Sequence, residues 1–289
     1  MARLFLFGYA DERPLQGSQL GGLRPEIEMP REPKFGQPWQ FTNPLLIVSL
    51  LVANLAVPQL AGQSGKASSA ASVPFASGEV LDYRLTWSVF SNAAAVQLAV
   101  VEKRDLFGIP TWHFRASAHT QVPLRSLAEI DDQFDSYAEM ATLESKQYET
   151  YLNELGEKEN TVSQLVSANQ AARGRASVVL VKPLTRDPLA ALYTLRAVDW
   201  RKTPEFRATV YDGEDLYEMR GRLDLPNDPI SVVGRNLTAT KIAVELFRGG
   251  HSSRTRCWIW FSQDAARVPL VIQAQVPYGS VRAELVSQR

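Results

Sequence analysis

Cysteine is almost absent from this chain: Cys257 is the only one among 289 residues, so no disulfide bond can form within it. Exported domains that depend on disulfides are mainly small, and a domain of about 200 residues buries a sufficient apolar core without them. Cys257 lies in an apolar stretch, where a free cysteine behaves as a small hydrophobic residue. We therefore predict a buried thiol and a fold that is held together by its core.

The chain also lacks an excess of charge, with 31 Lys and Arg against 31 Asp and Glu. A nucleic-acid-binding domain would carry a basic patch, and a segment that binds anionic lipid head groups would be polybasic. The sequence has neither feature, so we expect no nucleic-acid partner and no electrostatic docking to a membrane.

Residues that support metal or cofactor chemistry are sparse, since the chain has 3 histidines. His113 and His119 would share one face of a strand, but about 20 Å apart at about 3.3 Å per residue. The sequence contains no pair of cysteines and no H-E-x-x-H, P-loop, G-x-G-x-x-G or G-x-S-x-G motif. We therefore predict no metal, no cofactor and no catalytic residues, and we expect a protein that is not an enzyme.

A hydrophobic run long enough to cross a bilayer as a helix is also missing. The apolar run from Leu45 to Val57 has 13 residues, whereas a membrane-spanning helix needs about 20 and a signal-peptide core about 10–14. Arg31 and Lys34 supply a basic flank before the run, as signal peptides require. We predict a cleaved export signal, with an uncleaved membrane anchor as the alternative.

This run divides the chain into four predicted segments. They are a disordered N-terminal extension over 1–43, with Met29 as a candidate natural start; a signal-peptide core or membrane anchor over 44–62; a flexible linker over 63–77, rich in Ala, Ser and Gly; and a single antiparallel β domain over 78–287. We accordingly expect a periplasmic or cell-envelope location, with membrane contact only through 45–57 if the signal is uncleaved.

From Gly78 onward, apolar and polar residues alternate with the period of two that marks half-buried strands. The first strand places Leu81, Tyr83, Leu85 and Trp87 on one face. Two more strands follow around Val96–Val100 and Trp112–His119, and others are predicted over about 127–138, 143–152, 157–167, 174–181, 205–211, 215–224, 237–248, 255–262, 268–276 and 279–286.

One segment, Asp187–Arg196, has helical spacing instead, with Asp187 as its cap and Pro188 at the favoured first position. Many short strands and a single helix predict a mostly β fold. We expect an antiparallel curved sheet that forms a half-barrel, a barrel or a sandwich, with the short helix laid on the sheet or plugging it.

Several blocks of residues resemble the bacterial domain of unknown function 3108. The opening Gly78-Glu79-Val80-Leu81-Asp82-Tyr83, with Trp87 four residues on, is similar to its first motif, and so are Asp187–Arg196, Tyr211-Asp212-Gly213 with Leu216-Tyr217, and Trp260–Leu285. The resemblance implies an exported envelope protein and brings no agreed catalytic residues. More loosely, such domains resemble periplasmic lipoprotein carriers, in which a curved sheet wraps a helix and holds acyl chains.

Aromatic residues are the strongest candidates for a binding site. Trp258 and Trp260 share one face of a strand whose other face carries Cys257, Ile259 and Phe261. Such a strand either packs between two layers or lines an apolar cavity, and ligand sites are mostly apolar and concave. The candidate ligand-binding residues are Tyr83, Trp87, Trp112, Tyr193, Trp258 and Trp260.

Carboxylates cluster at Glu129, Asp131, Asp132 and Asp135. Paired carboxylates about 5–10 Å apart can hydrolyse glycosides, although a solvated strand face that discourages edge pairing is the simpler interpretation.

We therefore expect non-catalytic binding of an apolar, lipid-like ligand. The alternatives are a structural protein that docks an envelope partner, and a polysaccharide-acting hydrolase that uses the acidic residues at 129–135.

Overall fold

The computed structural model describes residues 73–167, 177–253, 255–276 and 279–289. The predicted extension over 1–43, the signal or anchor over 44–62 and the linker up to residue 72 lie outside the described residues. Within the described ranges, no helix combines the length and the apolar character needed to cross a membrane.

Strands dominate the described part of the chain. They are β1 Val80–Trp87, β2 Phe90–Leu106, β3 Ile109–Thr120, β4 Asp131–Glu139, β5 Ser145–Glu154, β6 Glu157–Ser167, β7 Ser177–Val181, β8 Glu205–Tyr211, β9 Leu216–Val232, β10 Arg235–Arg248, β11 His251–Ser252, β12 Arg256–Ser262, β13 Pro269–Val276 and β14 Gly279–Gln288. The α-helix α1 spans Pro188–Ala197, and a short 3-10 helix spans Leu124–Ser126. The prediction of a mostly β fold with one short α-helix is confirmed.

These strands form one sheet, in the order β7-β6-β5-β4-β3-β2-β1-β14-β13-β12-β10-β9-β8, with β11 paired to β10 beside this path. Neighbouring strands are antiparallel as predicted, except that β6 and β7 run parallel, with Ser163 opposite Ser177 and Ser167 opposite Val181. The sequence pattern does not predict this exception, because side chains alternate in the same way in parallel and antiparallel strands.

Alternation in β1 defines the interior face of the sheet. Leu81, Tyr83 and Leu85 are at most 2% exposed, while Asp82 points to the other side and accepts a hydrogen bond from Gln97 Nε2 at 2.8 Å. Burying a large apolar side chain contributes about 1.5–3 kcal/mol. The face that carries these three side chains therefore turns inward.

Helix α1 lies inside the curve of the sheet. Asp187 caps it, because its Oδ1 accepts hydrogen bonds from the backbone N–H groups of Leu189 at 2.9 Å and Ala190 at 3.0 Å. Residues 188–196 are all buried, as expected for a helix enclosed on every side. The helix packs against β3 and β4 and also against the edge strand β8. Because these strands are far apart in the sheet order, the sheet must wrap around the helix.

The segment before the helix links strands from opposite halves of the sheet. The Ser145 N–H, at the start of β5, donates to the Thr185 carbonyl at 3.0 Å. The next residue, Arg186, pairs with β8: its N–H donates to the Thr209 carbonyl at 2.9 Å, and its carbonyl accepts from the Tyr211 N–H at 2.8 Å. The main chain at 185–186 thus links β5, the third strand from one edge of the sheet, to β8 at the other edge. The edge strands β7 and β8 themselves do not pair in the described part.

The helix end approaches the sheet closely at Gly221 in β9. A Cβ atom at this position would lie 2.9 Å from both Leu195 Cδ2 and Trp200 Cη2. Such a contact is too short for carbon atoms, whose optimal separation is about 3.5–4.0 Å. Glycine is therefore required here for α1 to lie against the sheet.

Candidate binding site inside the sheet

Four aromatic rings meet between the interior face and α1. Trp112 and Phe114 come from β3, Tyr193 comes from α1, and Phe75 comes from the segment before β1. Ring centroids of Phe114 and Tyr193 are 3.9 Å apart in a stacked arrangement. Phe75 meets Trp112 at 5.3 Å, Phe114 at 5.5 Å and Tyr193 at 5.0 Å, each edge to face. We call this group the aromatic cluster.

Two other predicted site residues contact the same apolar core: Tyr83 is part of it, and Trp87 is partly buried and packs against it. Tyr83 is 2% exposed, and its hydroxyl donates to the Pro269 carbonyl at 2.7 Å. Trp87, at the end of β1, stacks with Phe90 at a centroid distance of 6.4 Å. The structure therefore brings Tyr83, Trp87, Trp112 and Tyr193 into one interior.

Trp258 and Trp260 lie on the opposite face, so the expectation that they line the interior is wrong. Cys257, Ile259 and Phe261 face the main core. Trp260 belongs to a second, smaller apolar cluster, against which Trp258 also packs. This is the packing between two layers that the sequence left open as an alternative.

The long β9–β10 hairpin supplies the second layer. Val232 and Ala239, from the end of β9 and the start of β10, pack in the same cluster as Trp260. Trp260 Nε1 also donates to Asp228 Oδ2 at 2.7 Å, and Lys241 Nζ lies 5.4 Å from its ring centroid. The sequence pattern shows that both faces of β12 are apolar, but it does not show which face the hairpin covers.

Three of the buried polar atoms that lack a hydrogen-bond partner belong to aromatic side chains of the predicted site; others, such as Arg84 Nε and His113 Nδ1, lie elsewhere. Trp87 Nε1, Trp112 Nε1 and the Tyr193 hydroxyl are buried and have no hydrogen-bond partner. Trp112 is 4% and Tyr193 is 2% exposed. Burial raises the pKa of the Tyr193 hydroxyl well above its usual value, so the group remains a donor. Nearly all buried polar groups in proteins are hydrogen-bonded, and leaving one unpaired costs about 1–3 kcal/mol.

The segment Val73–Glu79, which we call the strap, holds Phe75 in the aromatic cluster. Arg196, only 1% exposed, donates from Nη1 and Nη2 to the two carboxylate oxygens of Glu79 at 2.5 and 2.8 Å. Its Nη2 also reaches the Pro74 carbonyl at 2.9 Å, and its Nε reaches the Ala266 carbonyl at 2.9 Å. The strap is therefore tied to the C-terminal turn of α1.

Only residues 73–77 of the predicted flexible linker over 63–77 are described, and there the chain is held against the core. Phe75 lies within that range and is 7% exposed, because the interior offers its ring an apolar site. The Ala, Ser and Gly content of this segment predicts a flexible backbone. Such a prediction uses local composition alone and takes no account of a single aromatic residue. That lone aromatic residue, in an otherwise small and polar tract, was the available signal.

Asp135 departs from the solvated strand face that the sequence predicts for the acidic cluster, whereas Glu129 is exposed as predicted. Asp135 is 1% exposed and bonds to His113 Nε2 at 2.5 Å, Arg115 Nε at 2.8 Å and Gln133 Nε2 at 2.6 Å. Burial alone would raise the pKa of Asp135, but these hydrogen bonds outweigh it and the pKa is lowered. Tyr137 stacks on His113 at 4.5 Å, so neighbouring side chains cover this part of the outer face.

The other carboxylates are engaged elsewhere. Asp131 bonds to Arg125 Nη1 at 2.8 Å and to His119 Nδ1 at 2.9 Å, and the hydrogen bond from Arg125 is the main cause that lowers its pKa. Asp132 is on the interior side, where it accepts from the Asn153 N–H at 3.2 Å. Glycoside hydrolysis needs a general acid with a raised pKa, so neither Asp131 nor Asp135 suits that role.

Metal and thiol chemistry find no support in the described ranges. No group of three or more His, Cys, Asp and Glu side chains there could hold a metal ion. Cys257 is buried as predicted, and burial raises the pKa of its thiol to about 12. A thiol in this state is unreactive, because the thiolate is the nucleophile and the metal ligand.

Comparison with known families decides the relationship of this chain. The family DUF3108, described as a protein of unknown function, matches residues 82–286. The chain belongs to the DUF3108 family. The resemblance inferred from the sequence motifs is confirmed, and the match to DUF3108 runs from β1 to β14. Among curated proteins, none matches this chain.

Three solved structures are similar to this DUF3108 member. A β-barrel-like protein of the domain of unknown function DUF1849 from Brucella abortus has a TM-score of 0.44 and 9% identity, over 73% of this chain and 96% of that one. A candidate lipoprotein from Parabacteroides distasonis has a TM-score of 0.35 and 8% identity, over 74% of this chain and 96% of that one. A candidate exported protein with a YmcC-like fold from Bacteroides fragilis has a TM-score of 0.30 and 8% identity, over 76% of this chain and 100% of that one. At these values the likeness carries no inference about a ligand or an activity.

Proposed function

We propose that this protein is exported to the cell envelope and binds an apolar, lipid-like ligand, without catalysis, between the sheet and α1. The observation that carries the proposal is the set of three buried, unpartnered donors on Trp87, Trp112 and Tyr193. Two of them belong to the aromatic cluster, which is mostly apolar and lies inside a concave sheet, as ligand sites do. The apolar run at 45–57 supports the envelope location.

The ring of Phe75 can leave this site without disrupting the sheet. Phe75 precedes β1, and the strand pairing of β1 with β2 begins at Val80 opposite Ala99. The Gly78 N–H donates to the Val100 carbonyl at 2.7 Å, and the Val100 N–H donates to the Glu79 carbonyl at 2.9 Å, so the strap is bonded to β2 at its C-terminal end. Movement of the part of the strap before Gly78 would therefore expose Trp112, Phe114 and Tyr193 while the strands stay paired. We propose that the ligand occupies the position that Phe75 fills.

Truncation of Phe75 should open the site. We expect Phe75→Ala to bind an apolar fluorescent probe such as N-phenylnaphthylamine at least about tenfold more tightly than the wild type, because an apolar cavity accepts apolar solutes. The variant should also lose about 3 kcal/mol of stability. Phe247→Ala is the control, because that ring lies on the outer face beneath Arg220 at 3.9 Å.

A direct search for the natural ligand complements this measurement. Protein purified from an exporting host is extracted with organic solvent, and the extract is analysed by mass spectrometry. A lipid in the wild-type extract that is absent from an unrelated exported protein supports the proposal. Equal probe binding by Phe75→Ala, Phe247→Ala and the wild type, with no lipid recovered, would contradict it.

A different observation favours the second function, docking of a protein partner in the envelope. Four aliphatic side chains, which we call the rim, are exposed in loops near one end of the strands: Val89 at 86%, Val122 at 72%, Leu127 at 74% and Leu155 at 61%. The Leu155 N–H donates to the Glu129 carbonyl at 2.7 Å, which holds two of these loops together. Exposed apolar side chains that are grouped in this way mark interaction sites.

Site-specific crosslinking in cells tests the rim. A photoreactive residue at Leu127 should give an adduct with one protein of defined mass, and Leu155→Asp should abolish that adduct. The same residue at Lys202, whose side chain is 84% exposed away from the rim, should give none. Adducts from both positions, or from neither, would rule out rim docking.

A further inference from the structure

We infer that the ligand of the interior is an amphiphile with one carboxylate head group and an apolar body, and that the strap imitates it. This inference rests on the proposed function and names its ligand class. Two side chains of the strap carry the argument: Glu79 supplies a carboxylate and Phe75 supplies an apolar group, and both meet α1.

The carboxylate of Glu79 has a buried cationic partner. Arg196 is 1% exposed, and a guanidinium stays charged even when it is buried. Within the described residues, Glu79 is the carboxylate that pairs with it. A buried cation needs an anionic partner, and here the strap supplies that anion. The sheet and the helix alone would leave this requirement unmet.

The apolar group lies directly beside the ion pair. The guanidinium carbon of Arg196 is 5.8 Å from the ring centroid of Phe75 and 6.0 Å from that of Tyr193. The strap therefore presents a carboxylate on one side of Arg196 and a hydrocarbon group among aromatic rings on the other. A fatty acid has the same division, with one acid group and one apolar chain.

The strap imitates the inferred ligand only in part, because it leaves two hydrogen-bond donors of the interior without an acceptor. The rings of Trp112 and Tyr193 contact Phe75, but neither Trp112 Nε1 nor the Tyr193 hydroxyl has a hydrogen-bond partner. The ring of Phe75 has no oxygen or nitrogen atom that could accept from them. A ligand carboxylate that pairs with Arg196 in place of Glu79 could also accept from one or both of these groups, because a carboxylate has about four acceptor sites.

Exchange of the strap for such a ligand keeps the interior charge constant. One carboxylate replaces another beside Arg196, so the guanidinium is never left without an anion. A neutral amphiphile that displaced the strap would leave a buried, unpaired cation, which is strongly unfavourable. The site should therefore prefer an acid over the alcohol of equal chain length.

The test compares hexadecanoic acid with hexadecanol on the delipidated full chain, in wild type, Glu79→Gln and Arg196→Lys. We expect the wild type to bind the acid at least about tenfold more tightly than the alcohol. Glu79→Gln removes the internal competitor, so its affinity for the acid should rise by about tenfold or more while its affinity for the alcohol changes less. Arg196→Lys keeps the charge but loses the two-pronged geometry, and should reduce the preference. Circular dichroism confirms that each variant is folded.

A second readout follows the strap itself. In hydrogen exchange, the acid should increase the exchange of strap amides and leave β13 and β14 unchanged, because only the strap is displaced. If acid and alcohol bind equally well to the interior, the head-group inference is wrong and the proposed function stands. If neither compound binds the wild type, Glu79→Gln or Phe75→Ala, the proposed function fails as well.

Discussion

Replacement of Arg196 by Met should destabilise the protein by about 3–5 kcal/mol, which is the usual loss when one partner of a buried ion pair is removed. The Glu79 side chain is only 12% exposed, so little solvent would reach its charge to compensate for the missing guanidinium. The variant also loses the hydrogen bonds to the Pro74 and Ala266 carbonyls. Urea unfolding measures the effect.

A double-mutant cycle separates the charge from the packing. Glu79→Gln combined with Arg196→Met removes both charges, so the double variant should be more stable than the sum of the single losses predicts. Arg207→Met is the surface control, because that side chain is 57% exposed and an exposed pair contributes about 0–1 kcal/mol. A loss in Arg196→Met no larger than that in Arg207→Met would show that the strap contact adds little.

Replacement of Asp187 by Ala should cost about 2–4 kcal/mol, since it removes a helix cap and the acceptor of two buried hydroxyls. Asp187 is 0% exposed, and its Oδ2 accepts from Ser136 Oγ and Ser145 Oγ, both at 2.5 Å. Its Oδ1 caps α1. Asp187→Asn is the matched variant, because an amide oxygen can still cap the helix while its nitrogen donates to the two serines.

The pH dependence of Asp187→Asn gives a second test. Burial raises the pKa of Asp187 above its usual 3.8, against the hydrogen bonds that favour the carboxylate. A raised pKa means that folding favours the protonated form. That stabilisation is present below the unfolded pKa and is lost as the pH rises through the folded pKa. Relative to wild type, Asp187→Asn should therefore be more stable at about pH 7 than at about pH 3. A constant difference would contradict this assignment.

Local pattern predicted the elements of this fold, but it did not predict their long-range partners. Alternation located β1, and the Asp187-Pro188 pair located the start of α1, because both signals depend on neighbours in the chain. The direction of β7 depends on which strand it meets. The face covered at Trp260 depends on the β9–β10 hairpin, whose residues Val232 and Ala239 pack in the same cluster. A periodic pattern contains neither kind of information.

The candidate site was predicted in part for the same reason. Tyr83, Trp87, Trp112 and Tyr193 share the interior, since each lies on the apolar face of its own element. The sequence pattern does not predict that Phe75 belongs to the site, because its partners come from β3 and α1, far along the chain. Asp135 was expected to be solvated because alternation cannot show that Tyr137 and Arg115 cover the outer face around it.

The two main-chain residues that join β5 to β8 also precede the first turn of α1. Separation of β5 from β8 at these residues would break the backbone hydrogen bonds at Thr185 and Arg186. It would also disturb the Asp187 cap, so the sheet cannot open there without loss of the first turn of α1. The strap is held by the side chain of Arg196 and by a few backbone hydrogen bonds to Val100 of β2. If the interior binds a ligand as proposed, we expect the ligand to enter beside Val73–Glu79, because the bonds at Thr185 and Arg186 hold the opposite side of the sheet together.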